Sequence, residues 1–127
     1  MQLNQITIPC TDLARSVAFY EALGLRPVVR VEHYARLECP DGGNTLSLEV
    51  HASPPVPGIA VYFEVDDVDA TVQRLAARGI AVEKPPTDQP WFWREAWLRD
   101  PDGHPVAIYH AGQYRRFPPH RLDGRRA

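Results

Sequence analysis

Residues 88–104 read DQPWFWREAWLRDPDGH and place three tryptophans beside a glutamate and two arginines. Alternation along an extended chain puts Trp91, Trp93, Glu95 and Trp97 on one face. Aromatic rings offer flat stacking surface, and a carboxylate among them attracts cations. Monomers avoid showing such a patch to water. The face therefore either lines a ligand cavity or meets a second copy of the chain, where Trp and Arg are enriched. Elsewhere the same alternation groups polar side chains that are suited to chemistry. These are Gln5 and Thr7; Tyr34, Arg36 and Glu38; Ser47, Glu49 and His51; Ala60, Tyr62 and Glu64; Ala107 and Tyr109. Tyr62, Glu64, Trp93, Trp97, Tyr109 and Arg36 are the expected ligand-binding set.

The elements that must hold these residues come from an internal repeat. QITIPCTDLARSVAFYEALGL (5–25) and AVYFEVDDVDATVQRLAARGI (60–80) match in physical role at a constant offset of 55. Each copy predicts a short strand and then a helix. Asp12 or Asp67 is placed to accept the free N–H groups of the first helical turn. Leu13, Val17, Tyr20 and Leu23 recur at helical spacing on one face, as do Val68, Val72 and Leu75. Gly24 and Gly79 follow the last turn. Three strands are expected after each helix: 26–31, 34–39 and 44–50, then 80–84, 93–100 and 104–110. PDGG (40–43) and DPDG (100–103) suit the hairpin turns. The reading is βαβββ twice, with modules at 1–51 and 59–110 inside a single 1–127 domain. A proline-rich linker is expected at 52–58, and a tail without regular structure at 111–127. Ile6, Ile8, Leu46, Leu48, Val50, Val61, Phe63, Val65, Ala96, Leu98, Val106 and Ile108 fall on the face that must meet the helices.

The bulk numbers narrow the partners. With 127 residues, 44% hydrophobic composition and a net charge of −2, the chain reads as globular, with no overall basic balance for nucleic acid. Arg115, Arg116, Arg121, Arg125 and Arg126 crowd the tail, which reads as a solvated or interface segment. No apolar run reaches the roughly 18 residues of a membrane span, and the N-terminus has no secretory pattern. Cys10 and Cys39 read as reduced thiols, so a cytoplasmic location is expected. Neither a GxGxxG phosphate loop nor a nucleophile elbow is present.

The segments DLARSVAFYEALGL, FEVDDVDATVQRLAARGI and LRDPDGHPVAIY resemble the vicinal-oxygen-chelate superfamily over residues 1–110. That superfamily includes glyoxalase I, extradiol dioxygenases and bleomycin-resistance proteins. The resemblance implies an α+β fold: two βαβββ modules forming a curved mixed sheet, an open-barrel cup, usually within a homodimer. It also implies, in the metal-dependent members, four ligands that fall here on Gln5, Glu49, Ala60 and Ala107. Alanine has no donor atom, so the second-module half of that set is missing. His51 lies two residues beyond Glu49, roughly 6–7 Å along a strand, and is the substitute ligand to consider.

Two functions from different classes follow, and a third stands behind them. A metal-free binding protein would hold a small polar or aromatic ligand in a Trp-lined cup, with Glu49, Glu64 and Glu95 drawing its positive charge. A glyoxalase-type lyase, isomerase or dioxygenase would use one divalent ion (Ni, Zn, Co, Mn or Fe), with Glu49 or Glu95 as the catalytic base. The third reading is a non-enzymatic interaction module.

Overall fold

A computed structural model describes residues 1–56 and 58–127. Pro57, part of the expected 52–58 linker, lies outside the described residues. The element order is β1 (Gln5–Cys10), α1 (Leu13–Ala22), β2 (Arg26–Arg30), β3 (Tyr34–Glu38), β4 (Thr45–Val50), β5 (Val61–Glu64), α2 (Val68–Ala77), β6 (Lys84–Asp88), β7 (Arg94–Arg99) and β8 (Pro105–His110), followed by a short 3-10 turn at Gly112–Arg115. This is βαβββ twice, and the expected α+β class holds. Each module is one four-stranded mixed sheet, ordered β1-β4-β3-β2 or β5-β8-β7-β6. In each, the first strand pairs in parallel with the last, and the remaining pairs are antiparallel.

The repeat is visible at atomic detail in the helix ends. Asp12 and Asp67 are both extended, with φ near −130° and ψ of 101°. Each carboxylate accepts the backbone N–H three residues on, from Arg15 at 3.1 Å and Ala70 at 2.9 Å. This satisfies one of the orphan donors of the first turn. At the other end Gly24 (φ 108°) and Gly79 (φ 83°) turn the chain left-handed. The N–H groups of Leu25 and Ile80 then reach back to the carbonyls of Tyr20 and Leu75.

The chain divides into two compact units. The first comprises residues 1–59 together with 100–104, and the second comprises 60–99 with 105–127. In the first, Leu13, Val17 and Tyr20 of α1 are buried with Ile8, Leu37, Leu46 and Leu48. In the second, Val68 and Leu75 of α2 are buried with Val61, Ala96, Leu98, Val106 and Ile108. Each such aliphatic side chain contributes about 1.5–3 kcal/mol through burial. Leu23 and Val72 are only half-buried, and Ser16 and Thr71 take the buried positions instead. Ile6 stays 37% exposed because β1 is a sheet edge.

The 100–104 turn packs into the first unit through polar groups. Asp102 accepts from the Thr11 N–H at 3.2 Å, the Thr11 hydroxyl at 2.6 Å and the Ser16 hydroxyl at 3.3 Å. The buried Tyr20 hydroxyl donates to Asp100 at 2.8 Å. The His104 ring is fully buried, with Nε2 2.9 Å from the Pro9 carbonyl oxygen. Burial, aided by these carboxylates, pushes the Cys10 thiol up to about 11 and raises the Tyr20 hydroxyl as well.

Two readings need correction. The strand expected at 80–84 begins at Lys84 and runs to Asp88. It carries Pro85 and Pro86, which donate no ladder hydrogen bond; an edge strand with a register shift between Lys84 and Thr87 tolerates them. The tail is not wholly irregular, since residues 112–115 form the 3-10 turn.

Candidate functional site

The second sheet gathers most of the expected ligand-binding residues on one face. Register pairs Tyr62 with Ala107 and Glu64 with Tyr109, and sets Glu95 opposite Tyr109 and Trp97 opposite Ala107. Tyr62 is the hub of the rings. Its centroid is 5.2 Å from Trp97, 5.5 Å from Tyr109 and 6.3 Å from Trp93, all edge-to-face. Trp93 and Tyr109 are tilted at 4.9 Å. Such geometry fixes ring orientation beyond simple burial. Tyr62 remains 46% exposed, so the cluster opens outward. Burial raises the Tyr62 hydroxyl, with the Glu95 charge adding to the effect; burial also raises Tyr109.

Glu95 is 6% exposed. Among the described residues no group donates a hydrogen bond to its carboxylate, and Arg94, Arg99 and Arg36 have other partners. Arg94 binds Asp69 and Asp88, at 2.7 and 3.0 Å. Arg99 pairs with Glu83 at 2.6 Å, and the Arg36 Nε donates to the Tyr34 hydroxyl. The residue is buried but its carboxylate oxygens keep access to solvent, since His104 Nδ1 is the only buried side-chain N or O atom without a partner among the described residues.

Two predicted members stand apart from this cluster. Trp91 belongs to the turn between β6 and β7, not to the strand. Phe92 adopts φ 68° there, and the Gln89 N–H binds the Trp93 carbonyl, which closes the loop before β7 begins. Glu64 is already occupied, because its Oε2 accepts the N–H groups of Ala111 and Gly112 at 2.7 and 2.8 Å.

Two clefts open in the second unit. One, of about 210 Å³, is lined by Ala60, Glu83, Lys84, Trp97, Arg99 and Pro105, with Leu98 beneath. The other, of about 220 Å³, is lined by Trp91, Trp93, Tyr114, Arg115, Pro118 and His120. Lys84, Tyr114, Arg115 and His120 were not anticipated as lining residues. Lys84 stood at the end of the strand expected at 80–84, and the two prolines hid the continuation of that strand to Asp88. Tyr114, Arg115 and His120 belong to a tail with no periodicity to reveal what it packs against.

The first sheet carries a different set. Tyr34 and Ser47 hydroxyls are 2.7 Å apart, and this bond lowers the Tyr34 hydroxyl, with Arg36 assisting. Gln5 and Glu49 are not brought together. Gln5 pairs with Thr45, whose hydroxyl donates to the Gln5 side chain, while Glu49 lies opposite Pro9. Four residues along a strand separate the two by about 13 Å. His51 is exposed beyond the end of β4. A divalent ion needs several N, O or S donors within direct coordination distance. Gln5, Glu49 and His51 do not form such a set, and Ala60 and Ala107 bring no donor to the second sheet. Among the described residues no three His, Cys, Asp or Glu side chains are grouped to hold an ion. The residues present do not fit the divalent site that the resemblance implies.

A family model described as "Glyoxalase/Bleomycin resistance protein/Dioxygenase superfamily" matches residues 2–108. The chain is 38% identical over 111 residues to "Putative glyoxylase CFP32" of Mycobacterium tuberculosis, covering 79% of this chain and 40% of that protein. It is 34% identical to "Uncharacterized protein YraH" of Bacillus subtilis, covering 86% of this chain and 98% of that one. The chain thus spans about two fifths of the length of the first of these curated relatives and nearly all of the second. Among solved structures, a bleomycin-binding protein complexed with bleomycin superposes with a TM-score of 0.70 at 24% identity, covering 87% of this chain and 98% of that one. At that identity the likeness concerns the fold.

Proposed function

We propose that this chain, which belongs to the glyoxalase/bleomycin resistance protein/dioxygenase superfamily, binds a small flat cation on the aromatic face of its second sheet. One observation carries the reading: Glu95 sits among Tyr62, Trp97 and Tyr109 with its carboxylate oxygens open to solvent and no described residue donating to them. A ligand cation supplies the missing partner. A charge-assisted hydrogen bond is about twice as strong as a neutral one. The edge-to-face rings leave π-surface for the ligand body. Glu95 acts as the charge anchor, Tyr62 and Trp97 as the stacking walls, and Tyr109 as the floor. A relative of the same fold in complex with bleomycin supports small-molecule binding as a use of this architecture. No observation favours the lyase or dioxygenase reading, because the donor residues that chemistry requires are scattered or replaced by alanine.

Benzamidine and its uncharged isostere benzamide test the reading, with affinities followed by calorimetry and Trp fluorescence. Benzamidine is expected to bind at least tenfold more tightly than benzamide, and Glu95→Gln is expected to remove that preference. Equal binding of the two, or a preference that survives Glu95→Gln, overturns it.

A further inference from the structure

The cleft beside the C-terminal tail has the opposite charge character. Trp91, Trp93 and Tyr114 supply its rings, and Arg115 and His120 supply its polar edge. No carboxylate lines it. Arg115 is half exposed, and its guanidinium donates no hydrogen bond to any described residue. Its nearest acid, Glu64, is 3.8 Å from Nε, beyond hydrogen-bonding distance, and already accepts two backbone N–H groups. Nε faces Glu64 in this ion pair, and the two terminal amino groups of the guanidinium are left available beside three aromatic walls.

The walls are held in place at some conformational cost. Phe92 keeps φ 68°, a left-handed conformation that a bulky side chain rarely adopts. Its ring lies 5.1 Å from that of Tyr114, so the β6–β7 turn and the 3-10 turn of the tail are tied together across the rim. The size is also restrictive. A closed cavity of about 150 Å³ takes up benzene, so about 220 Å³ holds one ring and a compact charged group.

We propose that this cleft binds a small single-ring aromatic carboxylate. The ring stacks among Trp91, Trp93 and Tyr114, the carboxylate takes the Arg115 fork, and His120 is the second donor. The inference does not depend on the cation site, since the charge it needs comes from Arg115 and not from Glu95.

Benzoate is the probe, with benzamide as the uncharged comparator, and the readout is NMR titration of the tryptophan indole N–H resonances. Saturable shifts at Trp91 and Trp93 are expected with benzoate, with benzamide at least tenfold weaker. Arg115→Gln should weaken benzoate at least tenfold, Trp91→Ala should weaken it severalfold, and Glu95→Gln should leave it within twofold. The proposal is overturned if benzoate gives no saturable shift, if Arg115→Gln binds like the parent, or if Glu95→Gln abolishes benzoate binding. That last outcome would still leave the benzamidine reading standing, whereas loss of benzamidine binding alone would leave this one untouched.

Discussion

The two sheets share a scaffold and differ in what they place on it. Strand pairing makes Tyr34 and Glu49 neighbours in the first sheet, and Glu95 and Tyr109 neighbours at the same place in the second. The same two residue types occupy the pair, in exchanged order. In the first sheet the glutamate is on β4, the last strand of its module, and exposed; in the second it is on β7, the third strand of its module, and buried as a residue. Beside them, Arg36 opposite Ser47 becomes Trp97 opposite Ala107. The first face satisfies itself, through Arg36, Tyr34 and Ser47 in one hydrogen-bonded string. The second replaces those partners with rings and leaves its carboxylate unpaired. A repeat can thus keep its backbone while one copy bonds internally and the other is left chemically open.

The largest expected effect separates the two hairpin turns. Asp102→Ala should cost about 3 kcal/mol, because it orphans one backbone and two hydroxyl donors at Thr11 and Ser16. Asp41, in the corresponding turn of the first module, is exposed, so Asp41→Ala should stay within about 0.5 kcal/mol. Equal costs in urea unfolding would erase this difference between the turns.

Next comes the matched glutamate–tyrosine pair. Saturating benzamidine should raise the melting temperature of the parent, Glu95→Gln should remove that rise, and Glu49→Gln, in the exposed member of the pair, should keep it. A rise that survives Glu95→Gln ends the contrast between the two sheets.

The alkaline limb is set by the first unit. Cys10 has its folded value raised from 9.0 to about 11, and Tyr20 is raised too, so the folded state favours both neutral forms. The stability this contributes is complete below pH 9 and is lost as pH rises toward 11. The melting temperature should therefore be flat to about pH 9 and then fall, and Cys10→Ala should shrink the fall. The smallest effect is on the second unit's surface. Arg94→Ala, which removes exposed pairs with Asp69 and Asp88, should lower the melting temperature only slightly, and the difference should vanish in high salt.

Much of the fold was legible because it rests on local signals. Asp12 and Asp67 before an apolar stripe, and Gly24 and Gly79 after it, fix both helices with the same chemistry. The apolar alternation of β4 and β8 is unambiguous. What failed depends on pairing partners rather than on period. Pro85 and Pro86 argue against a strand, yet an edge position accepts them. Trp91 shares parity with Trp93 but falls in a turn, and parity has no meaning once the chain reverses. Gln5 and Glu49 share a face, but which residue stands beside which is set by register, and register placed Thr45 next to Gln5. Glu64 was legible as a carboxylate, not as the acceptor for two backbone groups at the start of the tail.

The assignment of residues 100–104 to the first unit has a consequence for biosynthesis. Thr11, Ser16 and Tyr20 emerge from the ribosome some 80 to 90 residues ahead of the aspartates that accept their hydrogen bonds. Until that late turn arrives, the nascent first unit has a helix start and a tyrosine hydroxyl with no native acceptor. Contacts of such separation are slow to form and cannot be made by the early segment alone. The N-terminal half is therefore first out and among the last to be completed, and the turn that completes it is translated from the other repeat.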